Sequence, residues 1–196
     1  MINSYQCDIK RCLKLRLDAD IAELEEKLRA VRAGTKAAED RPRQILAKKA
    51  RLDALDSIRR FTYNPNGDNT DMDSLNHAEV ISLAAEFLRT RPLMQKMLVQ
   101  KYPILLIDES QDTQKELIDA FFLIQSIYPC SFTLGLFGDT MQRIYSDGKA
   151  DLGQNIPVNW STPAKIINNR CPRRVVELIN KIRSEVDGQH QDAAKK

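Results

Sequence analysis

The chain has 196 residues, 42% apolar and 29% charged, with a formal net charge of +3. That length supports one ordinary domain with a core, in the soluble globular range of composition, and so mild a charge does not by itself imply a nucleic-acid or membrane partner. No apolar run approaches the roughly 18 residues that a membrane span needs. The charge is uneven: residues 1–63 hold fifteen Lys and Arg against ten Asp and Glu, and residues 64–196 hold fifteen against seventeen. A basic front section of this kind is either a solvated face or a surface for phosphates.

In chain order, Leu13, Leu17, Ile21, Leu24, Leu28 and Val31 recur every three or four residues. This spacing predicts a helix over 11–33 with one apolar stripe, ended by Gly34. After Pro42, Ile45, Leu46, Leu52, Leu55 and Ile58 predict a second helix. Two such helices joined by a short polar link form an antiparallel hairpin, or arm. Packing alone accounts for both stripes, and contact with DNA is the alternative. "RRFTYNPNGDNTD" predicts a short strand and a turn at Asn66-Gly67, the signature of a hairpin. Arg59, Arg60, Phe61 and Tyr63 also mix charge with aromatics, as single-strand binders do.

Residues 75–88 predict a helix, and Pro92 starts a second one over 93–100. An α/β section follows: a strand at 104–107, a helix at 113–127, a strand at 132–137, a third strand at 165–167 and a last helix at 172–183. Continuous apolar strands alternating with helices predict a parallel sheet covered on both faces. The polar residues from Gly188 onward read as a frayed tail. Cys7, Cys12, Cys130 and Cys171 form no CxxC pair, and His77 and His190 are isolated, so no structural metal site is expected. Scattered thiols point to a reducing, cytoplasmic setting.

The chemistry concentrates in "YPILLIDESQDTQ", residues 102–114. An apolar strand runs directly into Asp108, Glu109, Gln111 and Asp112. Ligand sites of open α/β sheets lie beyond the carboxyl ends of the strands, and Gly138-Asp139 ends the next strand. For Asp139 alone, a helix N-cap is sufficient explanation. Four polar residues in five after an apolar strand ask for more. Mg²⁺ takes one or two carboxylates plus phosphate oxygens, which suits Asp108, and a neighbouring carboxylate such as Glu109 can orient or deprotonate an attacking water.

"ILLIDESQDT" resembles the Walker B motif of UvrD/Rep-like superfamily 1 DNA helicases, in its DExQD form. "LFGDTMQRIY" resembles that family's GDxxQxIY motif, and "NNRCPRRVVELIN" is similar to its NYRS-type segment. The resemblance covers roughly residues 58–183. It implies a partial RecA-like (P-loop NTPase) α/β fold: a helical arm or insertion over 1–63, the back half of the first helicase lobe with a hinge-side segment over 64–187, and a disordered tail over 188–196. It implies ATP and Mg²⁺ as cofactors and single-stranded DNA as partner. Asp108 would hold Mg²⁺, and Glu109 would activate the attacking water. Gln142 would sense the γ-phosphate, and Arg170 would reach it from across a cleft. Gln111 and Asp112 would link the nucleotide to the DNA track, and Tyr145 would lie near bases. Arg59 and Arg60 are further candidates for DNA contact.

Two departures qualify the resemblance. None of the glycines, at 34, 67, 135, 138, 148, 153 and 188, opens the family's Walker A loop, GxxxxGK followed by Ser or Thr. Gly148-Lys149 is followed by Ala150 and lies on the wrong side of Walker B. The backbone cradle, the phosphate Lys and the Mg²⁺-binding hydroxyl must then come from elsewhere, for instance from a partner chain. After Tyr145 the family often has Gly-Trp-Arg, whereas this chain has Ser146-Asp147-Gly148. Three readings follow: part of an ATP-dependent DNA helicase or translocase, inactive alone; a non-enzymatic scaffold binding DNA or a protein; or the motor part of a helicase–nuclease or phage-defence complex.

Overall fold

The computed structural model describes residues 2–32, 34–65, 71–144, 152, 156–157 and 159–194. The chain divides into two compact units, Met1–Leu152 and Gly153–Lys196, each taken by itself below.

The first unit begins with helix α1 (Ile2–Arg29) and helix α2 (Lys36–Ala54). Leu13, Leu17 and Ile21 of the predicted stripe are buried, as is Ile45 of α2. The helices run antiparallel, as their cross-links show: Lys48 Nζ to Asp20 Oδ2 at 2.6 Å, Lys49 Nζ to Glu25 Oε1 at 2.7 Å, and Arg41 Nη1 to the Lys27 carbonyl at 2.6 Å. The Lys49 hydrogen bond and charge hold the Glu25 carboxyl below its usual range. α2, expected after Pro42, starts at Lys36 and carries Pro42 inside it. Proline removes one helical hydrogen bond; Ala37 and Ala38, strong helix formers, extend the helix upstream of it. Gly34, at φ +80°, makes the left-handed turn between the helices.

Leu13, Leu55, Ile58, Leu75 and Leu83 form the core at the base of the arm, with Ile9, Cys12, Phe61 and Val80 packed around it. Burial raises the Cys12 thiol above its usual range. Strand β1 (Thr62–Tyr63) pairs with strand β2 (Ser74–Leu75) in parallel, not as the predicted hairpin. Thr62 N donates to Asp73 O at 3.0 Å and Asn64 N to Leu75 O at 2.8 Å, so the chain loops back before pairing. The expected bend at Asn66-Gly67 lies outside the described residues.

Helix α3 (His77–Thr90) opens with a capping box: Asn76 Oδ1 accepts from Glu79 N at 2.8 Å, and Glu79 Oε2 accepts from Asn76 N at 3.0 Å. Arg51 of α2 reaches the same carboxylate. Its Nη1 donates to Glu79 Oε1 at 2.5 Å and its Nη2 to Ser74 O at 2.7 Å, and both side chains are only 10% exposed. This buried pair ties the arm to β2 and α3.

Helix α4 (Pro92–Lys101) leads to strand β3 (Ile104–Ile107), helix α5 (Lys115–Ile127) and strand β4 (Thr133–Leu136). β3 and β4 are parallel, registered from Ile104 opposite Thr133 to Ile107 opposite Leu136. Ile118, Ala120, Phe121 and Ile124 bury one side of α5, which packs on α3 and β4. The strands were expected to be covered on both faces. Only the face of Leu105, Ile107, Leu134 and Leu136 is buried or half-buried, while Ile104, Leu106 and Phe137 are exposed.

In the second unit, strand β5 (Ile167–Asn168) precedes helix α6 (Arg173–Val186) and strand β6 (Asp192–Ala193). The predicted third strand pairs in parallel with β6 and does not extend the β3–β4 ladder. Residues 188–194, expected to fray, are held instead. Gly188, at φ +66°, donates to Arg183 O at 2.7 Å and ends α6. The Asn180 amide then exchanges two hydrogen bonds with the Gln191 backbone, at 2.8 and 2.9 Å. Among the described residues no helix is long and apolar enough to cross a membrane. The fold is thus mixed α/β, with small parallel sheets.

Breaking a buried ion pair by removing one partner costs about 3–5 kcal/mol. Arg51→Met is expected to lower unfolding stability by about 3 kcal/mol in urea titration. Adding Glu79→Met should recover part of that loss, because no charge is then left buried alone.

Candidate functional site

The parallel register of β3 and β4 brings their carboxyl ends side by side, so the residues that follow each strand meet. Ser110 N donates to Phe137 O at 2.9 Å and Phe137 N to Ile107 O at 2.8 Å, continuing the ladder beyond the strands. Asp108 and Glu109 are exposed at this end. Asp108 Oδ1 accepts from Glu109 N at 3.0 Å. Glu109 adopts the left-handed conformation, φ 49° and ψ 42°, and is the one non-glycine residue with positive φ among the described residues. A side chain in that region costs roughly 1–2 kcal/mol, a strain that clusters at functional sites. The turn turns the chain sharply from strand into the one-turn helix Ser110–Asp112.

That turn is buried where the acids are not: Ser110 is 2% exposed and Gln111 1%. Gln111 Nε2 donates to Glu109 Oε2 at 2.7 Å, and Gln111 Oε1 accepts from Asp139 N at 3.1 Å. Asp139 is the predicted N-cap of the Thr140–Gln142 turn, with Oδ1 accepting from Met141 N at 3.1 Å. It does a second thing that the sequence did not suggest: Oδ2 accepts from Gln142 Nε2 at 3.0 Å. Asp112 Oδ1 accepts from Ile144 N at 2.9 Å. Glu109, Gln111, Asp139 and Gln142 thus form one hydrogen-bonded chain spanning the ends of both strands.

Gly138 makes the chain possible. A Cβ there would lie 2.2 Å from Gln111 Oε1 and 2.9 Å from Ser110 Oγ. The sequence signal was the Gly-Asp pair after an apolar strand, read for its acid and not for its glycine.

The remaining candidates are not among the members of this hydrogen-bonded chain. Arg59 and Arg60 are exposed between α2 and β1, and neither side chain has an ion-pair partner among the described residues. Gln6 donates to the Arg59 carbonyl. Tyr145 and the Ser146-Asp147-Gly148 segment lie outside the described residues. Arg170 belongs to the second unit; its backbone N–H and that of Cys171 both donate to Asn168 Oδ1 at 2.9 Å, a turn that sets Arg170 just ahead of α6.

No group of three or more His, Cys, Asp or Glu that could hold a metal ion occurs among the described residues. A magnesium ion shared with phosphate oxygens requires no such cage. Asp108 and Glu109 suit that arrangement: they are exposed, and among the described residues neither is neutralised by a Lys or Arg within ion-pair distance.

Gly138→Ala is expected to destabilise the chain by about 1–3 kcal/mol and to displace Gln111. The measurement is urea unfolding together with the side-chain amide resonances of Gln111 and Gln142. Both amides should move, whereas a substitution on the exposed face of β4, Thr133→Ala, should leave them in place.

The profile of the UvrD/REP helicase N-terminal domain matches residues 3–156. Gabija protein GajB of Bacillus cereus (strain HuB5-5) is 28% identical over 123 residues, which is 61% of this chain and 18% of that protein. The chain therefore spans less than a fifth of that relative's length. No solved structure matches. Since the matched residues make up most of its length and include the site at the ends of β3 and β4, the chain belongs to the UvrD/REP helicase N-terminal domain family.

Proposed function

We propose that this chain supplies the hydrolysis-side residues of an ATP-dependent DNA helicase or translocase, and that its phosphate-binding loop comes from another segment or a partner chain. The observation that carries the reading is the hydrogen-bonded chain from Glu109 through Gln111 and Asp139 to Gln142. It joins a candidate general base to a candidate phosphate sensor through a buried amide.

In this reading Asp108 would hold Mg²⁺, which would supply positive charge against the phosphate oxygens of ATP. Glu109 takes a proton from, or orients, the water that attacks the terminal phosphate. Its exposed carboxylate is aimed by the Gln111 amide, which fixes one of its oxygens and leaves the other open. Gln142 meets the terminal phosphate with an amide now held on Asp139. Arg170 stabilises transition-state charge. Gln111 and Asp112 couple this site to DNA, and Tyr145, Arg59 and Arg60 contact the strand. The exposed apolar side chains Ile104, Leu106 and Phe137 favour a lobe that is completed by further polypeptide. A purely scaffolding role accounts for that face too, but not for the left-handed Glu109.

The pure chain is expected to show no ATP hydrolysis stimulated by single-stranded DNA. Addition of a polypeptide bearing the GxxxxGK loop and its strand should produce phosphate release, abolished by Glu109→Gln. Steady release from the pure chain, lost in Glu109→Gln, would refute the need for a separate loop. Release that survives Glu109→Gln would refute the base assignment.

Single-stranded DNA should bind the chain weakly and lose affinity steeply with salt, because phosphate contacts release counterions. A labelled oligonucleotide titrated at two salt concentrations tests this. Changing Arg59 and Arg60 together to Ala should weaken binding more than Tyr145→Ala, which removes at most one stacking contact of about 1–3 kcal/mol.

A further inference from the structure

The segment from Asp139 to Ile144 is held at both ends by a single turn of the chain. Gln111 Oε1 takes the Asp139 N–H at 3.1 Å, and Asp112 Oδ1 takes the Ile144 N–H at 2.9 Å across 32 residues of sequence. Between these two clamps lies the Thr140–Gln142 turn, closed by Gln142 N to Asp139 O at 2.9 Å. Gln142 is exposed, and Ile144 is 80% exposed. Packing therefore fixes little of the far end of the segment, and the charge-assisted hydrogen bond that Ile144 N donates to a carboxylate is the stronger restraint there. The Asp112 end of the clamp sits on the same one-turn helix as Gln111, whose amide holds Glu109. A shift of that helix would move Glu109 and the Gln142 segment together.

We infer that Asp112 is a positioning residue for Gln142. By anchoring Ile144, it fixes where the Gln142 amide stands relative to the Glu109 carboxylate. The inference rests on the reading of Gln142 as the group that meets a terminal phosphate. It assigns Asp112 a structural target within this chain, the Ile144 N–H, distinct from direct contact with nucleotide.

The test is nitrogen-15 NMR on the full chain, comparing native protein with Asp112→Ala and Asp112→Asn. The asparagine variant keeps an oxygen able to accept the Ile144 N–H, and the alanine variant has none. Asp112→Ala should speed hydrogen exchange at Ile144 by at least about tenfold, the size of effect expected when a charge-assisted hydrogen bond is lost. It should also shift the Gln142 side-chain amide, leaving the Leu134 and Leu136 amides unchanged. Asp112→Asn keeps the bond in a weaker, uncharged form, so its Ile144 exchange and Gln142 shift should fall between native and Asp112→Ala, with Leu134 and Leu136 unchanged. With the polypeptide bearing the GxxxxGK loop present, titration with magnesium and ATP should perturb the Gln142 amide in the native and Asp112→Asn proteins, and several-fold less in Asp112→Ala. Unchanged exchange at Ile144, or faster exchange with an unmoved Gln142 amide, overturns the inference. A native Gln142 amide that ignores magnesium and ATP counts against the phosphate-sensor reading alone. The positioning claim is then decided by the exchange and by the Gln142 amide shift.

Discussion

The site depends on the burial of one carboxamide. Gln111 is 1% exposed, and a buried amide left without partners loses about 1–3 kcal/mol. Its donor side is satisfied by Glu109 Oε2 and its acceptor side by Asp139 N. Both partners follow directly from strand ends, so satisfying the amide fixes the two strand exits against each other. The left-handed turn at Glu109 and the missing side chain at Gly138 are the local conditions for that fit. A methyl group at 138 and an intact Gln111 cannot occupy the same space.

Local periodicity made the helices legible. The stripe of α1, the Pro92 start of α4 and the apolar side of α5 all follow from residues within three or four positions of each other. The strand–helix–strand order and the acids after β3 were legible for the same reason. What the sequence did not disclose depends on contacts between distant segments. Thr62 and Tyr63 could pair with any strand in either direction, and they pair in parallel with Ser74 and Leu75. The polar residues after Gly188 look free until Asn180, one helix earlier, takes the Gln191 backbone. Pro42 marks a helix boundary in sequence, yet α2 runs through it. In the site, Asp108 and Glu109 stood out by composition. The second use of Asp139 and the space needed beside Gly138 stood out only in three dimensions.

Two sets among the exposed apolar residues are ordered along their elements. In the first unit they are Ile104, Leu106 and Phe137, which the alternation of the strands puts on one face of the ladder. In the second they are Val175, Leu178, Ile182 and Val186, spaced three and four apart along α6. Neither set is scattered; each follows the period of its own element. Full burial of one such side chain is worth about 1.5–3 kcal/mol, so each face represents free energy that this polypeptide does not recover internally. A two-stranded ladder is marginal on its own; here α5, itself backed by α3, supports one face of it, which is enough to fix the strand exits.

That asymmetry matters for the site more than for the fold. Gln111 and Ser110 are rooted on the supported side of the strand ends and are buried, whereas Asp108, Glu109 and Gln142 are exposed. The buried members set distances and cannot readily rearrange, because any displaced amide or backbone group would be left unpaired. The exposed members keep free lone pairs and donors. A carboxylate that is aimed by a buried neighbour, yet still open to solvent, can accept a cation or a water proton without first breaking the core. The positional information therefore resides in Gln111, Gly138 and Asp112, and the reactivity of the proposed reading in residues that contribute little to holding the strands together.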